Sequence, residues 1–322
     1  MAERAMESPV ACRLATGSPR MASSLLPSRL RCHAQVATGR AAGRLARWCM
    51  GLALILALGQ PTPALADADR FEVSLIARTL GYRDMREPTS FTPSAAFVPQ
   101  QGGWVRNWTE QRGYVEAVYR LLDTNQVVLA LGGQVGASVG RFEAKNVEQG
   151  VYEAWETRPA FLWGPCARLI LRRQPGAGVF ARFDYAFFSA AAPEAREEGA
   201  NRSGGGTPPS ARDAFFSWTS HEATARLGYD FGPVEAAAGA SLVAFRLDKR
   251  LTHHADPAGA TGNALAAILA LNALPSRYGY EPRSLVVPFL SLAVRPAAGL
   301  TLEGSIRPAD QPDVALRLAV FF

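Results

Sequence analysis

The chain is short of the residues that most soluble binding chemistry uses. It has four cysteines in 322 residues, and Cys12, Cys32 and Cys49 all fall within the first 66. Cys166 stands alone after them. One thiol closes no intramolecular disulfide and builds no zinc cluster, so packing is its expected role. Excess positive charge is absent where it would matter. The net charge of +6 comes from residues 1–66, which hold eight Arg against two Glu, while residues 67–322 carry 26 basic and 26 acidic side chains. A nucleic-acid surface needs a clustered basic excess, and that reading loses its support. No G-x-x-x-x-G-K-[ST], H-E-x-x-H, G-x-S-x-G or repeated C-x-x-C pattern occurs, and no cofactor is expected. After residue 66 there is no run of 18 apolar residues, the length a spanning helix requires.

The first 66 residues read as targeting sequence. Arg40, Arg44 and Arg47 precede one uncharged apolar run, Trp48 to Gly59, and Gln60 to Ala66 ends in Ala64-Leu65-Ala66. Basic flank, short apolar core and small-residue site are the three parts of a cleaved secretory signal peptide. The run is too short for a membrane anchor. Met1 to Gly39 is long for a leader and points to initiation at Met21 or later. The expected organisation is a leader over 1–66 and one domain over 67–322.

What remains alternates with period two. In residues 313–322 (DVALRLAVFF), Val314, Leu316, Leu318, Val320 and Phe322 share one face, and Asp313, Ala315, Arg317, Ala319 and Phe321 share the other. Successive strand side chains point to opposite faces. In a membrane barrel one face meets lipid and the other the lumen. The pattern recurs over 71–78, 115–121, 127–140, 163–172, 179–187, 222–231, 290–295 and 300–307. Val234 to Asp248 alternates less cleanly and changes phase near Val243, which predicts a bulge. The total is about ten strands, within a range of eight to twelve, in an all-β antiparallel up-and-down transmembrane barrel. Its inward face places Arg78, Glu116, Arg120, Arg168, Arg172, Arg182, Asp184, Glu222, Arg226, Glu303, Arg307 and Arg317 in the lumen. Small barrels fill the lumen with side chains, so a paired charge network is expected, with a narrow Arg-lined pore as the alternative.

The connections support this reading. Short turns fall at 123–125, 174–178, 231–233 and 296–299, and long polar or Gly/Pro-rich stretches at 83–111, 142–158, 191–217 and 250–283. Transmembrane barrels alternate short periplasmic turns with long outside loops. Residues 191–212 are low-complexity and predict a mobile, solvated loop tip. Tyr229, Phe231 and Phe322 would form a periplasmic aromatic girdle, and Trp163, Tyr185, Phe187 and Trp218 an outer one. Residues 263–274 (NALAAILALNAL) have helix-forming composition. A helix there could lie on the membrane surface or fold into the barrel mouth.

Residues 313–322, ending in Phe322, resemble the closing strand of bacterial outer-membrane proteins. The resemblance implies that Val314, Leu316, Leu318, Val320 and Phe322 are read by the barrel-assembly machinery, with outer-membrane lipid as the other partner. A soluble β-sandwich would show the same local alternation, but the leader, the terminal Phe and the scarcity of Lys in the strands favour the membrane. Trp218, Thr219, Ser220, His221 and Thr224 loosely resemble a stretch of the omptins, ten-stranded outer-membrane proteases. Omptin catalysis uses paired Asp residues and an Asp–His pair on separate loops, a set this sequence does not match. His221 is therefore expected at the lipid–water rim. His253, His254 and Asp256 are the weak candidates for a metal, because adjacent His side chains diverge on a strand. The expected function is non-enzymatic: envelope structure, adhesion or ligand binding. A narrow channel or hydrophobic-ligand transporter is the alternative, and a surface hydrolase the second.

Overall fold

The computed structural model describes residues 70–92, 103–146, 148, 150–173, 177–201, 211–254, 256–283, 286–307 and 313–321. Residues 1–69, with the expected cleavage residues Ala64 and Ala66, residues 202–210 and Phe322 lie outside these. Ten antiparallel strands form a closed ring. They are β1 (Phe71–Tyr82), β3 (Trp104–Asp123), β4 (Val127–Asn146), β6 (Ala160–Arg172), β7 (Gly178–Asn201), β8 (Ala211–Asp230), β9 (Val234–His254), β11 (Val286–Ala297), β12 (Leu300–Arg307) and β13 (Asp313–Phe321). Each pairs with the next, and β13 returns to β1 with Val73 opposite Val320 and Thr79 opposite Val314. Closure satisfies the edge groups that hydrocarbon cannot. Three shorter strands stand above this ring. They are β2 (Arg86–Phe91), β5 (Val151–Thr157) and β10 (Ser276–Glu281). β5 bridges β4 and β7 above the short β6, and β10 joins β9 to β2. One helix, α1 (Gly262–Ala273), follows β9 and buries Ile268 and Leu271. Among the described residues no helix is long and apolar enough to cross a membrane.

The alternation determines which way each wall faces. Leu227, Leu242, Leu290, Leu302 and Leu316 are more than half exposed on the outside, whereas Glu72, Arg168, Glu222 and Arg226 are buried inside. The outward face gives the band's upper limit. On β4, Val127, Leu129, Leu131, Val135 and Val139 give way to Arg141, Glu143 and Lys145, and on β9, Leu242 and Ala244 give way to Arg246, Asp248 and Arg250. β3, β4, β7, β8 and β9 continue beyond that limit as the tall side of the wall.

Several expectations need correction. β9 has no bulge at Val243, because its pairing with β8 runs from Glu235 to His254 without a register shift. The phase changes because the lumen changes: Ser241 faces a polar interior, while Val243, Phe245 and Leu247 face an apolar one. The four long connections are not simple loops. Strand extends through Ala191 to Asn201 in β7 and back to Trp104 in β3, and β2, β5, β10 and α1 lie within the other stretches. Trp218 is not in the outer girdle. It points inward and is almost wholly buried.

Candidate functional site

The interior is built in three levels. At the end that holds the turns after β3, β8 and β11, a vestibule of about 750 Å³ is lined by Arg120, Asp123, Arg172, Asp230, Glu235 and Arg295. Arg120 pairs with Asp123 at 2.7 Å and stacks over Phe321 at 4.9 Å. Arg295 donates to Asp230 at 2.8 Å and to Glu235 at 2.9 Å.

The middle level is an ion-pair lattice whose members come from strands across the barrel. Arg168 of β6 donates to Glu72 of β1 at 2.8 Å and to Glu116 of β3 at 2.7 Å, and also reaches Asp184 of β7 at 3.0 Å. Arg317 joins Glu72 and also Glu116, the latter at 2.8 Å. Arg226 joins Glu303, and Arg182 holds Asp184 at 2.8 Å. Glu222 of β8 accepts from Arg78 of β1 at 2.5 Å and from Arg112 of β3 at 2.9 Å. Arg307 lies 3.6 Å from Glu222 and 3.0 Å from Asp313, which also accepts from Arg78 at 2.8 Å. A chamber of about 140 Å³ sits among these groups and shares Arg168, Arg182, Glu303 and Arg317 with the vestibule lining. Buried charge is tolerated only when paired and hydrogen-bonded, and the lattice supplies both.

Above the lattice the lumen is aromatic. Trp108, Phe142, Trp155, Phe216 and Trp218 are buried, with Trp108 and Trp218 ring centres 5.2 Å apart and Phe142 and Tyr280 5.0 Å apart. Gly140 makes room for Trp108, since a Cβ there would lie 2.0 Å from the indole. Glu110 ties the two levels together. It is fully buried and accepts from Arg112 at 2.7 Å, Ser138 at 2.6 Å and the Trp218 indole at 2.8 Å. Higher still, Lys249 lies against the rings of Phe142 and Trp155 and donates to Glu153 at 2.6 Å, which also faces Arg212 at 3.5 Å. Burial raises the Glu153 carboxyl, but the Lys249 and Arg212 charges outweigh it and hold it below the usual range. Burial pulls Lys249 below the usual lysine range, and Glu153 offsets this only in part.

Of the residues expected in the lumen, Arg78, Glu116, Arg168, Arg182, Asp184, Glu222, Arg226, Glu303, Arg307 and Arg317 are brought together in the middle level. Arg120 and Arg172 stand apart in the vestibule. Glu110 and Arg112 were missed. Their signal was an every-second-residue spacing that continues from Glu116 back through Tyr114 to Trp108. Cys166 is buried beside Val118 and Ala130, a packing position.

The residues that loosely resemble omptins do not form one site. Trp218 faces the aromatic interior, whereas His221 faces out, 2.9 Å from the Tyr185 hydroxyl and with its ring centre 4.8 Å from that of Phe187. His254 meets Asp213 at 2.7 Å on the exposed outer rungs of β8 and β9, a pair the sequence reading did not find. Asp256 accepts from the amide of Ala258 at 2.8 Å. Among the described residues no group of three or more His, Cys, Asp or Glu is placed to hold a metal.

No protein-family model matches the chain, and no curated protein matches it. Among solved structures it is similar to the translocator domain of the autotransporter NalP from Neisseria meningitidis, at 11% identity and a TM-score of 0.37, over 88% of this chain and 96% of that one. The transport unit of the autotransporter AIDA-I from Escherichia coli gives 8% and 0.34, over 85% and 97%. The toluene transporter TbuX of Ralstonia pickettii gives 10% and 0.35, over 79% and 90%. At TM-scores of 0.34 to 0.37 these likenesses carry no argument for this chain.

Proposed function

We propose that the protein is a bacterial outer-membrane barrel that acts by binding at its surfaces while its lumen stays shut. The observation that supports this is the filling of the lumen. Arg78–Glu222 and Arg168–Glu72 join strands across the ring, and the aromatic level lies directly above them. Ten strands enclose too little space for both this filling and an aqueous path, which needs roughly 16 strands when open. The leader with Ala64 and Ala66 supports export. The closing strand with Val314, Leu316, Leu318, Val320 and Phe322 supports insertion by the barrel-assembly machinery. Outer-membrane lipid is then the partner of the apolar band.

A second reading is a transport barrel in its closed state. The vestibule and the inner chamber favour it, because together they carry a polar path from one mouth into the charged level. Conductance of refolded protein in a planar bilayer separates the two. Silence in the wild type and in Glu222→Ala supports surface binding. Silence in the wild type with steady current in Glu222→Ala supports a gated path. Current through the wild type refutes the sealed lumen. Envelope fractionation, with gel mobility compared before and after heating, tests the location and the folded barrel independently.

A further inference from the structure

Above the lipid band, β8, β9, β10 and β2 present a continuous outward face. At one register level Phe215, Arg250, Arg277 and Phe91 line up across these four strands. Arg250 and Arg277 are direct cross-strand neighbours and both are exposed. Neither has an ion-pair partner among the described residues. Like charges directly opposite weaken an antiparallel pair. An anion between them removes that repulsion, and paired guanidinium groups match phosphate geometry. Arg246, on the same face and nearer the lipid, is exposed beside Asp248 at 3.2 Å. Lower on the same side, the lipid-facing wall has an apolar groove of about 480 Å³ lined by Ala167, Phe183, Ala223, Ala225, Ala240 and Leu242. Its alanines leave a trough between larger neighbours, and Leu242 is half exposed there.

The vertical spacing selects the ligand. On β9 the outward apolar residues end at Ala244, and Arg250 stands six residues above it. At ~3.3 Å per residue and a tilt near ~40°, that is about 15 Å above the hydrocarbon along the membrane normal. The head-group layer of an ordinary phospholipid is only about 5–7 Å deep, so its phosphate ester does not reach so far. A saccharide chain carrying phosphate does. We propose that this wall docks an outer-leaflet glycolipid with a phosphorylated saccharide head group. Its acyl chain lies in the groove, and its phosphate lies between Arg250 and Arg277. The site goes beyond the sealed-lumen reading and depends only on the barrel's standing in the outer membrane.

The test uses full-length folded protein in detergent micelles, titrated with rough-type lipopolysaccharide and read by native mass spectrometry. The same glycolipid after phosphatase treatment, phosphatidylglycerol and inorganic phosphate form the other arms. The wild type is expected to retain the phosphorylated glycolipid. Phosphatase treatment and the double variant Arg250→Gln/Arg277→Gln are each expected to weaken retention about tenfold or more. Ala225→Trp, which fills the groove, is expected to weaken glycolipid retention as well. Gel mobility confirms that each variant is folded, so a loss reports docking. Equal retention by the double variant overturns the proposal, as does indifference to phosphatase. Phosphatidylglycerol binding as well as the glycolipid overturns it in favour of a general anionic-lipid surface. Full competition by inorganic phosphate overturns it in favour of a free-anion site.

Discussion

Removing the Glu222 carboxylate tests whether the lattice holds the barrel together. This one side chain accepts from Arg78 at 2.5 Å, Arg112 at 2.9 Å and Ser220 at 3.0 Å, and lies 3.6 Å from Arg307. It joins β8 to β1, β3 and β12. In Glu222→Ala neither main arginine is stranded, because Arg78 keeps Asp313 and Arg112 keeps Glu110. The loss is therefore two charge-assisted hydrogen bonds and an unbalanced positive charge, for a total of about 3–5 kcal/mol. Glu222→Gln keeps the volume and one acceptor oxygen and should cost less, about 1–3 kcal/mol. Restoring neutrality with Glu222→Gln/Arg307→Gln should recover part of the loss, a coupling of about 0.5–3 kcal/mol. The assay is urea unfolding of the protein in vesicles, followed by tryptophan fluorescence. If Glu222→Ala costs under about 1 kcal/mol, the value typical of a solvated surface pair, the lattice does not carry the load assigned to it.

Further expectations concern the levels above the lattice and the lipid face. Glu153→Gln leaves Lys249 buried without its partner and lowers its pKa further. The unfolded chain then binds the extra proton, so the variant's melting temperature should rise between pH 7 and pH 10 more steeply than the wild type's. In the wild type, stability contributed by Glu153 is present above the ordinary carboxylate range and lost as acid titrates through its depressed pKa, measurable by the same melts. Trp218→Ala removes a buried indole and the donor to Glu110, and should lower stability by about 3–5 kcal/mol in the urea assay. On the outward face of β8, Ala225→Arg lies in the lipid band and should cost about 2–4 kcal/mol, whereas Ser217→Arg, above it, should cost nearly nothing. Equal costs at the two positions would refute the assigned band.

The ring was legible because lipid outside and charge inside make opposite demands on neighbouring residues. Val314 to Val320 and Ala223 to Phe231 show both faces in a few residues. The pairing within the lumen was less legible. That Arg168 meets Glu72 and Glu116 depends on three strands brought together across a closed ring, and no local spacing encodes it. The outer wall was largely unread for a different reason. Residues 191–201 look like a solvated linker, yet their backbone pairs with β5 and β8 because the neighbouring strands already stand there as templates. The row of Arg250 and Arg277 is likewise invisible until register places β10 beside β9.

The phase change at Val243 follows from a change of solvent, not from a defect in the strand. Below it the outside is hydrocarbon and the inside holds the ion pairs, so Ala240 and Leu242 face out and Ser241 faces in. Above it the outside is water, so Arg246 and Asp248 face out while Phe245 and Leu247 face in. Two other strands of the ring invert in the same way. On β8, Phe216 and Trp218 face in above Glu222, which pairs directly with Val243. On β4, Phe142 faces in above Ser138, with Arg141 outside. A bulge would displace the register of one strand. An inversion shared by three strands, with the ladder intact, marks a plane. That plane is where the membrane barrel ends and where the same strands, continuing upward, become the wall of a water-facing barrel with an aromatic core.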